Sequence, residues 1–129
     1  MKKNFIIIGL ALFLCTVVFA QPQQTQIIAV ATLEKTENSR IGDKAARAPY
    51  YLIFNKGGDL LEVVSNPFRE ATRGAGPKVA DFLASKNVSI VVAGDFGHKM
   101  KSALDMKGIG YHEASGIVKN VIEDLIKPR

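Results

Sequence analysis

The chain has 129 residues, 47% of them apolar and 22% charged, with a formal net charge of +5, two histidines and one cysteine. That apolar content suits a packed domain rather than a disordered chain, and the mild basicity lacks the strong cluster of a nucleic-acid binder, so no nucleic-acid partner is expected. A lone cysteine, Cys15, excludes a disulfide framework and a multi-thiolate metal site.

The first element is a targeting segment. Lys2 and Lys3 precede an almost unbroken apolar run over residues 5–19, and Val18 and Ala20 meet the small-residue requirement of a cleavage site. Residues 1–20 therefore read as a secretory signal peptide, which implies a periplasmic or extracellular protein. The run falls short of the ~20 residues that span a bilayer, so cleavage is favoured over a retained anchor, and no stable membrane insertion is expected afterwards. Leu14 before Cys15 is too bulky for lipoprotein processing. Cleavage would remove Lys2, Lys3 and Cys15, lowering the net charge from +5 to +3. Any metal site would then rest on His98, His112, carboxylates or backbone groups.

Residues 21–25 are a polar tether, and residues 26–127 form one domain of ordinary size. Residues 26–32 are apolar on both faces and predict a central strand. Residues 33–49 show no period. A segment of that length is often functional or mobile, but its charged composition favours a solvated surface loop. Residues 50–55 and 60–65 predict two strands of a hairpin, joined by Lys56-Gly57-Gly58-Asp59, and Asn66-Pro67 ends the second. Residues 69–76 form a basic, glycine-containing connector.

Pro77 suits the first turn of a helix whose Val79, Phe82 and Leu83 share one buried face, and Asn87 suits a left-handed stop. Residues 88–93 predict a strand covered on both sides. After Gly94 and Gly97 a second helix presents Met100, Ala103 and Leu104 inward, and it stops at Gly108 with Ile109 folding back. Met100 and Met106 are expected to pack against the sheet. Residues 109–113 predict a last strand. Ser115 is expected to cap a third helix carrying Val118, Val121, Ile122 and Leu125, which Pro128 ends. The class is α/β, with the order β-ββ-α-β-α-β-α, giving a mixed five-stranded sheet and three helices.

In such a sheet, ligands sit beyond the strand ends, at the N-terminus of the following helix. The candidate site is therefore the loop containing Gly94, Phe96, Gly97 and His98. The bland alternative is that the glycines merely permit the turn and His98 is a solvated first-turn residue. If the 33–49 segment folds over, Arg40 and Arg47 would add charge-assisted hydrogen bonds to an anion, and His98 could ligate a metal through one imidazole nitrogen. His112, alone on a strand, reads as surface packing. Arg69, Arg73 and Lys78 bracket Gly74-Ala75-Gly76 as a second basic rim, more simply read as a solvated face. Asp95, inside the candidate loop, would repel an anion.

Catalytic patterns are missing. Residues 26–32 contain no carboxylate with which to begin a two-metal cluster. There is no nucleophile elbow, phosphate loop or dinucleotide fingerprint, so a non-enzyme is expected.

Several motifs in order carry a family resemblance. They are Ile27-Ile28-Ala29-Val30-Ala31-Thr32, Ile41-Gly42 through Arg47-Ala48-Pro49-Tyr50-Tyr51-Leu52-Ile53, Gly74-Ala75-Gly76, the 88–97 strand and loop, Gly108-Ile109, and Glu113-Ala114-Ser115-Gly116-Ile117. Across residues 26–125 the chain resembles the dinitrogenase iron-molybdenum cofactor biosynthesis domain, the NifX-like family. The resemblance implies a ribonuclease-H-like fold and, for some members, carriage of an anionic iron–sulfur or iron–molybdenum cluster or its precursor. Two readings follow. One is an exported, non-catalytic carrier of an anionic metallocluster. The other is a structural or regulatory module that contacts a protein partner and takes no small ligand.

Overall fold

The computed structural model describes residues 25–128; the expected signal peptide, most of the tether and Arg129 lie outside the described residues. Strands β1 (Ile27–Thr32), β2 (Tyr50–Asn55), β3 (Leu60–Ser65), β4 (Ile90–Ala93) and β5 (Gly110–Glu113) alternate with helices α1 (Ala75–Ser85), α2 (Gly97–Met106) and α3 (Val118–Ile126). The sheet order is β3-β2-β1-β4-β5. The hairpin pairs are antiparallel, whereas β1–β4 and β4–β5 are parallel. This is the expected mixed, ribonuclease-H-like arrangement, and it places the C-terminal ends of β1 and β4 side by side.

The two-residue period of β1 sorts its side chains between two cores. Ala29 and Ala31 join Tyr51, Val91, Leu83, Met100 and Leu104 beneath α1 and α2. Ile28 and Val30 join Leu52, Phe54, Val92, Val118 and Ile122 beneath α3. Both central strands are covered on both faces, which is why their sequences are unbroken runs rather than alternating ones.

The helix stops follow the sequence. Asn87 has φ 62° and Gly108 has φ 70°. In each case the next residue's N–H reaches back to the last turn, Val88 to Leu83 O and Ile109 to Leu104 O. That is the Schellman pattern.

Several expectations need correction. The strands forecast from residues 26, 88 and 109 begin at Ile27, Ile90 and Gly110, and α1 begins at Ala75, before Pro77. Met106 is 88% exposed at the end of α2, outside the core, whereas Met100 is buried. Ser115 does not cap α3. The N-cap is Ile117, with no side-chain bond. Instead the first two N–H groups of α3 are taken by main-chain carbonyls of the 33–49 segment, Val118 by Ser39 and Lys119 by Glu37, each at 2.9 Å. Long-range partners satisfy the orphan donors of a helix start as well as a local side chain does.

The 33–49 segment is thus not a free solvated loop. It is stitched across the end of the sheet: Gly42 N–H to Ala31 O at 2.8 Å, Gly94 N–H to Gly42 O at 2.9 Å, and Ala45 N–H to Asp95 O at 2.8 Å. Its own Ile41, Ala45 and Ala48 are buried. A short 3-10 helix, Ala45–Arg47, is the one regular element that periodicity did not suggest.

Candidate functional site

Both α1 and α2 start from a left-handed glycine, Gly74 at φ 68° and Gly97 at φ 71°. Each glycine faces open space, with no heavy atom within 4 Å of where a Cβ would stand. The two first turns are packed together. A Cβ on Gly76 would lie 2.9 Å from Met100 Cβ and 3.3 Å from Met100 N and Cα. Only a residue without a side chain lets the helices meet this closely.

Between them opens a cleft of about 300 Å³, lined by both helix starts together with Arg47, Phe96, His98 and Lys99. Helix geometry leaves the first N–H groups of each helix without intrahelical partners, and each start carries roughly half a positive charge. Pro77 lacks an N–H, so in α1 that role falls to Ala75 and Gly76. None of the residues lining the cleft is acidic. Two helix dipoles, a guanidinium and a lysine therefore act on one volume without a compensating carboxylate.

Arg47 is positioned by the core. The Tyr51 hydroxyl, wholly buried, donates to Ala45 O. Asn66, also buried, donates from its amide nitrogen to Ala46 O and Ala48 O, both at 2.9 Å. Those two side chains fix the carbonyls of the 3-10 helix that carries Arg47. From there Arg47 Nη1 donates to Arg69 O at 2.9 Å and Ala71 O at 2.6 Å, bridging to the connector that leads into α1. Both acceptors are neutral, so the guanidinium keeps its full charge and its remaining donors.

Burial raises the Tyr51 phenol well above its ordinary value near 10. An unfolded tyrosine ionises from about pH 10 upward while the folded one stays protonated, so this contribution to stability is complete below pH 10 and lost above it. Tyr51→Phe is expected to cost about 1–2 kcal/mol at neutral pH, because it leaves a buried carbonyl unpaired. Urea unfolding at pH 7 and pH 11 checks both parts: the variant should be less stable at pH 7 and lose less between the two pH values than wild type.

The fold brings four of the six sequence-named residues together: Arg47, Phe96, Gly97 and His98 line the cleft. His98 is exposed in the first turn of α2, and Phe96 is buried with its ring 5.4 Å from that of Tyr111. Gly94 lies just behind, pressed against Asp43, where a Cβ would meet the Asp43 backbone oxygen at 2.8 Å. Arg40 goes elsewhere. It pairs through its main chain with Ile117 before α3 and does not line the cleft. His112 is exposed on β5, opposite Val92.

Asp95, the residue that argued against an anion, is not in the cleft lining. It is exposed, and its main chain pairs with Lys44 and Ala45. Ala46, Gly74, Ala75, Gly76, Pro77, Lys99 and Met100 also line the cleft and were missed by reasoning about a single loop. The one sequence signal for the first turn of α1 was Gly74-Ala75-Gly76 with Arg69, Arg73 and Lys78 around it. Among the described residues, no three His, Cys, Asp or Glu side chains are grouped to hold a metal ion, and no helix is long and apolar enough to cross a membrane.

Residues 26–128 match the family model described as dinitrogenase iron-molybdenum cofactor. Among solved structures, a Thermotoga protein of the DUF35 family is 30% identical, over 78% of this chain and 86% of its own, with a TM-score of 0.66. The apo form of the orange protein from Desulfovibrio gigas is 22% identical, over 83% of this chain and 90% of its own, with a TM-score of 0.73. At that identity the second likeness concerns the fold alone. No curated protein sequence matches the chain.

Proposed function

The chain belongs to the dinitrogenase iron-molybdenum cofactor family, and from that premise we propose that its cleft receives and carries an anionic metallocluster, an iron–sulfur or iron–molybdenum cluster or a precursor of one. The observation that carries this reading is the convergence of two helix N-termini, Arg47 and Lys99 on one carboxylate-free volume. Each helix start is worth about 0.3–1 kcal/mol to an anion at its mouth, and charge-assisted bonds from Arg47 contribute about 1.5–3 kcal/mol each.

The donor set suits cargo rather than a resident group. The described residues contain no cysteine, so a cluster would be held as a whole anion by N–H groups and the guanidinium. His98 would add at most one direct bond to metal. Few metal–protein bonds leave release easy, as a carrier requires. The lining holds no carboxylate to pair with another acid or base, which supports binding over catalysis.

Export is part of the proposal and rests on residues 1–20. Protein recovered anaerobically from its own cells would begin at Gln21 and carry iron or molybdenum; an intact Met1 in the cytosol would remove the export claim. Purified protein should retain tetrathiomolybdate, or a synthetic thiolate-capped iron–sulfur cluster, through gel filtration at about one equivalent. Arg47→Ala should weaken uptake about tenfold or more and reduce its salt dependence. His98→Ala should alter the absorption spectrum of the bound cluster if the imidazole touches metal. Failure of wild type to retain either probe would refute the carrier reading.

A further inference from the structure

In the sequence Asn66 reads only as the residue that, with Pro67, ends the hairpin. In the structure it is buried between two exposed neighbours, Ser65 and Pro67. Its side chain makes three hydrogen bonds, all to main chain. Nδ2 donates to Ala46 O and Ala48 O, and Oδ1 accepts from the Phe68 N–H, each at 2.9 Å. The Phe68 donor identifies the oxygen end of the amide, so the nitrogen end faces the two carbonyls. The Asn66 main-chain N–H also reaches Pro49 O at 2.9 Å. Asn66 therefore holds the chain at residues 46, 48 and 49, on both sides of Arg47.

Arg47 answers in the opposite direction. Its Nη1 donates to Arg69 O and Ala71 O, on the chain that follows Asn66. Each residue grips the main chain around the other, and together they close a clasp between the 33–49 segment and the approach to α1. The two halves are unequal. Arg47 is exposed and its bonds compete with water, whereas Asn66 is 7% exposed. Depriving a buried carbonyl of its donor costs more than freeing an exposed one, so the Asn66 half sets where the 3-10 helix lies. With Nη1 on carbonyls, the guanidinium keeps Nε and Nη2, the side-on fork that can meet two acceptor atoms together.

We propose that Asn66 is a positioning residue for the anion: it lies outside the cleft lining and acts through Arg47, whose backbone it holds on either side. The inference rests on the carrier reading. A long side chain on a loose loop must be ordered when the anion arrives, and that ordering weakens binding; a held backbone removes part of the loss. An asparagine that served the fold alone would behave differently. Its removal would lower stability and leave the affinity of the folded protein unchanged.

Tetrathiomolybdate is the probe, titrated at two ionic strengths. Asn66→Ala should weaken its binding about five- to tenfold. It should also flatten the salt dependence although no charge has been removed, because the guanidinium no longer faces the bound anion. In the Arg47→Ala background the same substitution should change affinity less than about twofold, since the residue it acts through is gone. Coupling is reciprocal, so in the unaltered protein the bound probe should tighten the clasp. Amide exchange at Phe68, whose N–H rests on Asn66 Oδ1, should slow when the probe saturates the site, a readout that needs no variant to fold. Equal losses in both backgrounds, unchanged affinity in Asn66→Ala, or an unchanged Phe68 exchange rate overturns the proposal. Wild type that binds no tetrathiomolybdate removes the carrier reading and this proposal with it, whereas wild type and Asn66→Ala binding equally well removes this proposal alone.

Discussion

Gly94→Ala is expected to destabilise the protein by about 1–3 kcal/mol, the usual cost of overpacking. Propensity points the other way, since replacing glycine where the backbone is ordinary stabilises by about 0.4–1 kcal/mol through the unfolded chain. The collision decides the sign. The new Cβ would lie 2.8 Å from the Asp43 carbonyl oxygen, 2.9 Å from its Cα and 3.2 Å from its carbonyl carbon, and backbone cannot turn aside as a side chain would.

Relief requires the 33–49 segment to lift from the end of β4. That lengthens the Gly94 N–H to Gly42 O bond and the Ala45 N–H to Asp95 O bond together. Chemical denaturation gives the stability change. Amide exchange at Gly94 and Ala45 tells local detachment from global loss, and a variant as stable as wild type would refute this close packing. Because the same segment carries Arg47, cluster uptake should fall with it.

Gly76→Ala tests the cleft itself, with an equally sharp sign. In a helix, alanine is favoured over glycine by about 0.8–1 kcal/mol. The structure instead places the added Cβ 2.9 Å from Met100 Cβ, at the root of that side chain rather than its flexible end. The first turns of α1 and α2 must then move apart by several tenths of an ångström. Met100, 1% exposed, anchors α2 in the core and resists the shift. A net loss of about 1–2 kcal/mol is expected after the propensity gain is offset. Thermal unfolding measures it, and a variant more stable than wild type would show that the two helix starts are not in contact. Binding of either anionic probe should weaken as well, because the two dipoles no longer address one volume.

Much of the fold was legible because its signals are local. Glycines and an asparagine mark the helix stops, β-branched runs mark the strands, and a three-to-four residue spacing marks the buried helix faces. Ser115 misled because it is a good cap residue in a place where carbonyls distant in sequence already satisfy the helix. Met106 misled because apolar character predicts burial only on the inward face, and Met106, the last residue of α2, lies on the outward side.

The site was legible in halves. Gly97, His98 and Arg47 could be named from the sequence. That the Gly74-Ala75-Gly76 turn shares their cleft, and that Arg40 and Asp95 stay out of it, could not.

By itself the sequence determined the element order, the two-sided burial of β1 and β4, the hairpin, and a basic glycine-rich loop at a helix start. These rest on interactions within a few residues, which composition and period record directly. Tertiary structure alone decided where the 33–49 segment lies and which charges face the cleft. Those outcomes rest on hydrogen bonds and contacts between residues far apart in the chain, such as Ala45 with Asp95 and Gly76 with Met100, and no local pattern encodes which distant partner a group will meet.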